Sequence, residues 1–333
     1  MSEEKKESKG GAGLDIGTAN LLCARTVGNK TQIQMQRNAF IEVDNDEWQQ
    51  KALTSLKVQY AKYEGRMFVM GDSAFELANV LKKSTRRPMR NGMISPDDID
   101  ALPIIKLMIK KLLGNPRSSN EPVVYSVPAN PIDSPMNVAY HKKIFEGVLL
   151  SLGYDPKPIM EGHAVIMSEL IEDDFTGIGI SCGGGMFNVC VSYRSIPAVT
   201  FSTARGGDWI DHEAAMVTGN EQTRMTRIKE RGVNLIEPKT REEQALAIYT
   251  RELIEGTLKT IANKLVSEKQ VPEFESPISI VLAGGTALAG GFRDVFEDVF
   301  KSVRLPIEVK QIRLAEEPLQ SVAKGCLIHA LNR

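Results

Sequence analysis

The sequence has little of three features that mark specialised classes of protein: net charge, cysteine and long apolar runs. Its 333 residues carry a formal net charge of -1. A nearly neutral chain lacks the general electrostatic attraction for nucleic acid or anionic lipid that a basic protein has. The chain nowhere reaches the roughly 18 uninterrupted apolar residues of a membrane-spanning helix. We therefore expect a soluble protein with no specific nucleic-acid partner, whose contact with a membrane is at most peripheral.

Cysteine is scarce and scattered. The four cysteines, Cys23, Cys182, Cys190 and Cys326, show neither a CxxC pair nor the spacing of zinc ligands. Such usage argues against a disulfide framework and indicates free thiols in a reducing cytoplasm. Residues 1–12 are charged and carry no apolar segment, so we expect a disordered tail there rather than a signal peptide or a membrane anchor.

Within an ordinary composition, 42% hydrophobic and 25% charged, glycine is concentrated in three turns. The turns are GLDIGTAN at 13–20, GGG at 183–185 and AGGTALAGG at 283–291. Each follows a short apolar or β-branched run of the kind that forms a buried strand, and each places glycine where backbone turns sharply or approaches a ligand closely. Three such turns, separated by stretches of domain size, predict two similar halves that hold a phosphate chain between their hairpins.

The remaining segments predict alternating strands and helices. Residues 177–193 repeat the strand, glycine turn and strand of 13–26, and the chain is longer than a single core usually supports. The clearest further elements are strands at 122–128 and 278–282 and helices at 97–113, 137–152, 241–268, 292–303 and 321–331. The pattern predicts a two-domain α/β protein whose last helix returns to the first domain.

Several segments carry a family resemblance. In chain order they are GLDIGTAN at 13–20, GDSAFELA at 71–78, RRPMRNGMI at 86–94, VP at 127–128, GGDWID at 206–211, RIKE at 227–230, VLAGGTAL at 281–288 and EPLQSVAKG at 317–325. Together they resemble bacterial actin-like ATPases of the MreB, MamK and ParM type, MreB above all. These proteins belong to the superfamily of actin, heat-shock chaperones and sugar kinases.

The resemblance implies an α/β, actin-like (ribonuclease H-like) fold. Such a fold has duplicated domains, each a mixed sheet flanked by helices, with a nucleotide cleft between them. By this resemblance the first domain comprises 13–159 plus 316–333, with a small subdomain at about 33–69. The second comprises 160–315, with a small subdomain at about 206–275.

The resemblance also implies a site for ATP or ADP with Mg²⁺. Backbone N–H groups around Gly17 and Thr18 would donate to phosphate oxygens, and the Asp15 carboxylate would hold the water shell of the metal ion. Glu230 would accept a hydrogen bond from a ribose hydroxyl, or else belongs to a solvated helix face. The residues expected to bind nucleotide are Asp15, Gly17, Thr18, Asn20, Ser181, Gly183, Gly184, Gly185, Gly206, Gly207, Glu230, Gly284, Gly285 and Thr286.

Two segments depart from the family pattern where hydrolysis is concerned. Where relatives resemble D-x-G-x-G-T, this chain has Ser181 for the acid and Met186 for the threonine. Loss of a carboxylate near a divalent ion weakens the fixing of the metal and its waters. In the connector, where relatives place a Glu or Gln that orients the attacking water, Asp133 is the candidate catalytic residue. A role as a loop cap before Ser134 is the alternative.

The function implied by the resemblance is that of a bacterial cytoskeletal protein that polymerises into cytoplasmic filaments with ATP or ADP and Mg²⁺. Self-association is the expected partnership, with adaptor proteins beside it, and the altered second turn predicts slow or impaired ATP hydrolysis. The alternative is a non-polymerising nucleotide-binding scaffold in a partner assembly. The basic cluster at 82–90 is expected to form a solvated or subunit-facing edge, because no aromatic side chains accompany it for base stacking.

Overall fold

The structure is a computed structural model that describes residues 10–81, 83–95, 97–268 and 271–332. The predicted tail lies outside these residues as far as residue 9, and the first strand begins at Ala12. The strands are β1 (Ala12–Ile16), β2 (Asn20–Val27), β3 (Lys30–Arg37), β4 (Phe40–Val43), β5 (Tyr60–Tyr63), β6 (Arg66–Met70), β7 (Met89–Arg90), β8 (Met93–Ile94), β9 (Glu121–Val127), β10 (Tyr154–Met160), β11 (Gly177–Cys182), β12 (Phe187–Tyr193), β13 (Ile196–Thr203), β14 (Ile278–Ala283) and β15 (Val309–Leu314).

The helices alternate with these strands. They are α1 (Glu47–Ser55), α2 (Asp72–Leu81), α3 (Ala101–Leu113), α4 (Val138–Ser151), α5 (Glu161–Glu169), α6 (Gly207–Thr218), α7 (Gln222–Glu230), α8 (Arg241–Ser267), α9 (Phe292–Ser302) and α10 (Ser321–Leu331), with a 3₁₀ turn at Gly285–Leu288. Within the described ranges, no helix has the length and apolar character needed to cross a membrane.

Two five-stranded mixed sheets of the same design form the body of the molecule. The first has the order β10-β9-β1-β2-β3, with β1, β2 and β3 antiparallel and β1, β9 and β10 parallel. The second repeats this arrangement as β13-β12-β11-β14-β15, with β13, β12 and β11 antiparallel and β11, β14 and β15 parallel. The duplicated α/β architecture expected from the sequence is confirmed.

A smaller sheet, β4-β6-β5, is inserted after β3 and is covered by α1 and α2. Within the range 33–69 expected for the first small subdomain, residues up to Arg37 belong to β3 and hence to the main sheet. In the second half, the chain between β13 and β14 forms α6, α7 and α8. Each half therefore carries an insertion on one side of its sheet.

Helices α5 and α10 lie in the core shared by the two sheets. They pack against each other, and α10 also packs against β1 while α5 packs against β11. The shared core joins Val124 of the first sheet and Val281 of the second to Ala164 and Cys326 on the two helices. Strands β11 and β14 are buried along their whole length, which explains their continuous apolar runs. This layered core fixes how the hairpin turns of the two sheets face each other.

One helix begins later than the sequence pattern predicts. The helix expected from residue 97 begins at Ala101. Asp98, expected to lie in its first turn, accepts hydrogen bonds from the Arg86 guanidinium, as does Asp100. Asp100 also pairs with Arg66 of β6. These carboxylates thus bind arginines of the segments before α3, and Asp98 also accepts a hydrogen bond from the Asp100 N–H at the N-cap of the helix.

Candidate functional site

A cavity of about 540 Å³ lies between the two sheets, at the ends of the strands that carry the glycine turns. It is lined from the first half by Asp15 and the β1–β2 turn, and from the second half by the β11–β12 turn and the segment after β14. Every residue expected to bind nucleotide lines this cavity except Gly206. Gly206 lies directly behind the second turn, where a Cβ would come within 2.6 Å of the Gly184 carbonyl oxygen.

The two hairpin turns are built alike and contact each other. The Gly17 N–H donates to the Asn20 carbonyl at 3.1 Å, and the Gly183 N–H donates to the Met186 carbonyl at 2.9 Å. A side chain at Gly185 would clash with the Thr18 hydroxyl, which itself accepts a hydrogen bond from the Gly92 N–H at 3.0 Å. Close approach of backbone, rather than turn geometry alone, therefore requires glycine here.

The third glycine turn is attached to the second. Gly284 has φ +93°, and a Cβ there would clash with the Cys182 carbonyl. The Thr286 hydroxyl donates to the Gly183 carbonyl at 3.0 Å, and the Gly284 N–H donates to the Pro318 carbonyl at 2.7 Å. The three turns that are far apart in sequence thus meet around one cavity.

Two carboxylates face this cavity from the first half and from the start of α5. Asp15 accepts a hydrogen bond from the Ser126 hydroxyl at 2.8 Å, and Glu161 accepts one from the Ser181 hydroxyl at 2.8 Å. Burial raises the pKa of Asp15 above its usual range. Burial, and then the negative charge of Asp15, raise the pKa of Glu161. Ionising both groups together is therefore unfavourable unless a cation lies close to them.

Glu161 was not among the residues selected from the sequence. The chain passes from the first sheet to the second at the junction of β10 and α5, next to the domain boundary expected at 159/160, and Glu161 is the first helical residue there. The sequence does contain a local signal for Glu161, because an acidic residue there begins a helix directly after a strand. It becomes informative only once the fold places Glu161 beside Ser181 in the same cavity.

Asp133 lies elsewhere. Its carboxylate accepts a hydrogen bond from the Ala204 N–H at 2.7 Å and lies 3.8 Å from Arg205 Nε. Asp133 does not line the cavity between the sheets. Its contacts join the loop after β9 to the end of β13, a tertiary contact rather than a cap within its own loop.

Glu230 lines the cavity at the end of α7, but its carboxylate is paired across the opening. Arg37, at the end of β3, donates to both Glu230 oxygens at 3.3 and 3.4 Å. A second cross-cleft pair joins Arg87 Nη1 to both carboxylate oxygens of Asp208 at 3.0 Å. Of the basic cluster at 82–90, Arg87 is therefore directed into the cleft rather than into solvent.

Comparison of the sequence with family models gives one decisive match. The Volactin model matches residues 11–330, which is nearly the whole chain. The chain belongs to the Volactin family. No curated protein sequence is significantly similar to it.

Three solved structures have folds similar to that of this Volactin-family chain. A MamK double helical filament is 16% identical and covers 96% of this chain and 98% of its own, with a TM-score of 0.72. MreB5 of Spiroplasma citri bound to ADP is 16% identical and covers 96% of this chain and 95% of its own, with a TM-score of 0.64. EutJ of Carboxydothermus hydrogenoformans is also 16% identical, covering 98% and 92%, with a TM-score of 0.55. The fold is actin-like, and the resemblance to bacterial actin-like proteins is confirmed.

The donor set of the Volactin-family cleft fits a hydrated Mg²⁺ ion. Asp15 and Glu161 offer carboxylate oxygens, the ligand type that Mg²⁺ prefers, and burial raises the pKa of both, so that a cation between them would favour their ionised forms. In the described part of the chain, no group of three or more His, Cys, Asp or Glu side chains could enclose a metal ion directly. The arrangement therefore suits an ion that keeps much of its water and also contacts a phosphate ligand.

Proposed function

We propose that this protein binds ATP or ADP with Mg²⁺ in the cleft between its two sheets. The observation that carries the proposal is the meeting of three glycine turns around one cavity of about 540 Å³. Backbone that approaches this closely leaves N–H groups, rather than bulky side chains, to contact phosphate oxygens. A nucleotide in the cleft would touch both halves and so favour their closed arrangement.

In this proposal Asp15 and Glu161 hold the water shell of Mg²⁺, and the metal ion neutralises charge on the phosphates. Glu161 also orients the attacking water, the role that relatives give to a connector Glu or Gln. Ser181, which replaces the acid of the second turn, donates to Glu161 and fixes its carboxylate. Met186 is almost fully buried, with its backbone carbonyl closing the turn, and offers no hydroxyl to phosphate. We therefore propose slow hydrolysis.

We further propose that nucleotide binding drives self-association into cytoplasmic filaments. The support is the likeness over almost the full length of both chains to a subunit of the MamK double helical filament. Closure of the cleft would set the relative orientation of the two halves, and a filament contact that spans both halves would then depend on the nucleotide. Hydrolysis would weaken such contacts by relaxing the closed state.

The second candidate is a nucleotide-binding scaffold that assembles with other proteins and does not polymerise. The altered second turn favours it, because Ser181 and Met186 replace the acid and the threonine expected for efficient turnover. Adaptor proteins would then be the principal partners. The fold alone does not choose between the two candidates, since one architecture serves many functions.

Electron microscopy and pelleting with Mg²⁺ and ATP, ADP or no nucleotide test these proposals, with phosphate release followed in parallel. Nucleotide-dependent filaments with slow phosphate release are the expected result. Filaments without release would make the nucleotide a structural ligand. Nucleotide binding without filaments at any protein concentration would support the scaffold, and absence of nucleotide binding would refute both proposals.

A further inference from the structure

A cation lies where the two hairpin turns meet. Arg87 pairs with Asp208, and both side chains line the cavity, with 29% and 23% of their surface exposed. A Cβ at Gly184 would lie 3.7 Å from Asp208 Oδ1 and 3.6 Å from the Ala19 Cβ. Asp208 therefore borders the second turn at Gly184, and Gly184 in turn lies beside Ala19 of the first turn.

The other cations of the cavity each have more than one partner. Among the described residues that line it, the cationic side chains are Arg37, Arg87 and Lys229. Lys229 Nζ lies 2.7 Å from the carboxylate of Asp211, whose side chain is 1% exposed, so its departure would leave a buried charge unpaired.

Arg37 is held toward α2. Its guanidinium lies 4.7 Å from the centre of the Phe75 ring and 3.5 Å from Asp72, besides its pairing with Glu230. Arg87 differs, because Asp208 can be rehydrated if it is released. Asp208 also lies in the first turn of α6, where the helix dipole stabilises a negative charge without a counter-ion.

We propose that Arg87 binds the terminal phosphate of a nucleoside triphosphate in exchange for Asp208, and so distinguishes the triphosphate from the diphosphate. This inference rests on the proposed nucleotide site. A guanidinium matches phosphate geometry with two parallel hydrogen bonds, and a terminal phosphate carries more negative charge than one carboxylate. With the diphosphate, Arg87 remains on Asp208. With the triphosphate, the Arg87 guanidinium binds the terminal phosphate instead.

The exchange has a route to the rest of the first half. Arg87 precedes the turn at Gly92, whose N–H donates to the Thr18 hydroxyl at 3.0 Å. The Ile94 N–H, two residues further on, donates to Nδ1 of the buried His141 on α4 at 3.1 Å. A change in the partner of Arg87 is thus a change at the start of a segment that contacts both the first turn and α4.

Calorimetric titration of the full-length protein with a non-hydrolysable ATP analogue and with ADP, each with Mg²⁺, tests the proposal. Arg87→Gln should lower the affinity for the analogue by about tenfold to a hundredfold and change that for ADP by less than about twofold. Asp208→Asn breaks the same ion pair but leaves the cation free, and should raise analogue affinity by about two- to fivefold. Arg90→Gln, at an exposed residue of β7, is the matched control and should change neither affinity.

Other outcomes distinguish failure of the Arg87 assignment from failure of the proposed nucleotide site. Equal losses for both nucleotides in Arg87→Gln, or a loss of analogue affinity in Asp208→Asn, would mean that the ion pair is structural and would overturn the assignment. Unchanged analogue affinity in Arg87→Gln would overturn it while leaving the nucleotide site intact. Wild-type protein that binds neither nucleotide would refute the proposed function, and this inference with it.

Discussion

At the scale of single residues, Glu161 and Asp133 are competing candidates for orienting the attacking water. Glu161 faces the cavity beside Asp15, whereas Asp133 is bonded to the Ala204 N–H outside it. We expect Glu161→Ala to lower the rate of phosphate release by about a hundredfold, because the side chain that positions the attacking water is lost. Asp133→Ala should alter it by less than about threefold. Single-turnover phosphate release at saturating ATP measures both, and the reverse ranking would restore Asp133 as the catalytic residue.

The raised pKa of Glu161 also predicts a pH dependence of stability. Burial and the charge of Asp15 make the folded chain hold this proton more tightly than the unfolded chain does. Folding therefore loses stability as the pH rises from the unfolded pKa, about 4.3, through the raised folded value. Without nucleotide, Glu161→Gln should lose less stability than wild type between pH 5 and pH 8. Each unit of the raised pKa contributes about 1.4 kcal/mol.

Thermal unfolding at the two pH values provides the measurement. Glu308→Gln is the matched control, since Glu308 is exposed at the surface before β15. It should follow the wild-type pH dependence. An equal loss of melting temperature in Glu161→Gln and wild type between the two pH values would show that Glu161 is not held in the buried environment described above.

The residues of the cleft show how far sequence reasoning reaches. The glycine turns are local patterns, since strand, glycine and strand follow within a few residues, and their assignment to one cavity needed no three-dimensional information. The pairing of Arg87 with Asp208 joins residues 121 apart in sequence. No local pattern encodes it. The expected domain boundary at 159/160 lies next to the crossing between β10 and α5, but only the fold shows that the Glu161 side chain faces the cavity.

At the scale of secondary structure, periodicity and buried apolar runs predicted the helices α3, α4, α8, α9 and α10 and the central strands, including β11 and β14. Buried strands are easily recognised in the sequence, because both of their faces are covered and the whole run is apolar. Strand β3 is different. It is an edge strand with five exposed residues among eight, so its composition resembled an insertion, and its membership of the main sheet is decided by pairing with β2.

The contact between α5 and α10 supplies a stability prediction for these elements. A Cβ at Gly325 would clash with the backbone carbonyl of Ala164, which has no flexible side chain to move aside. We expect Gly325→Ala to destabilise the protein by about 1–3 kcal/mol or more, the cost of overpacking a close contact. Gly147→Ala is the matched control, because Gly147 lies in α4 with open space around its Cα.

The control should stabilise the protein by up to about 1 kcal/mol, since alanine is the better helix former. Urea unfolding followed by circular dichroism compares the two variants with wild type. Similar midpoints for Gly325→Ala and Gly147→Ala would mean that α5 and α10 do not approach each other as closely as described.

At the scale of the whole molecule, two duplicated halves share a core at α5 and α10 and face each other across the cleft. The shared core holds the halves together on one side, whereas the contacts across the cleft include ion pairs that are partly exposed. Exposed ion pairs contribute about 0–1 kcal/mol each and are screened by salt. The free-energy cost of opening the cleft should therefore be small in the nucleotide-free protein. A ligand that touches both halves has enough binding energy to keep the cleft closed.

The pair between Arg37 and Glu230 makes this argument testable. Without nucleotide, Arg37→Gln should increase hydrogen exchange of backbone amides at the ends of β3 and α7 by up to about fivefold, the equivalent of one exposed ion pair. Saturating Mg²⁺ and ADP should remove most of that difference, because the ligand then holds the halves together. Arg293→Gln is the control, since Arg293 pairs with Asp294 and Glu297 within α9 and spans no cleft. Faster exchange that persists unchanged in the nucleotide complex would locate the effect in local unfolding of β3 rather than in opening of the cleft.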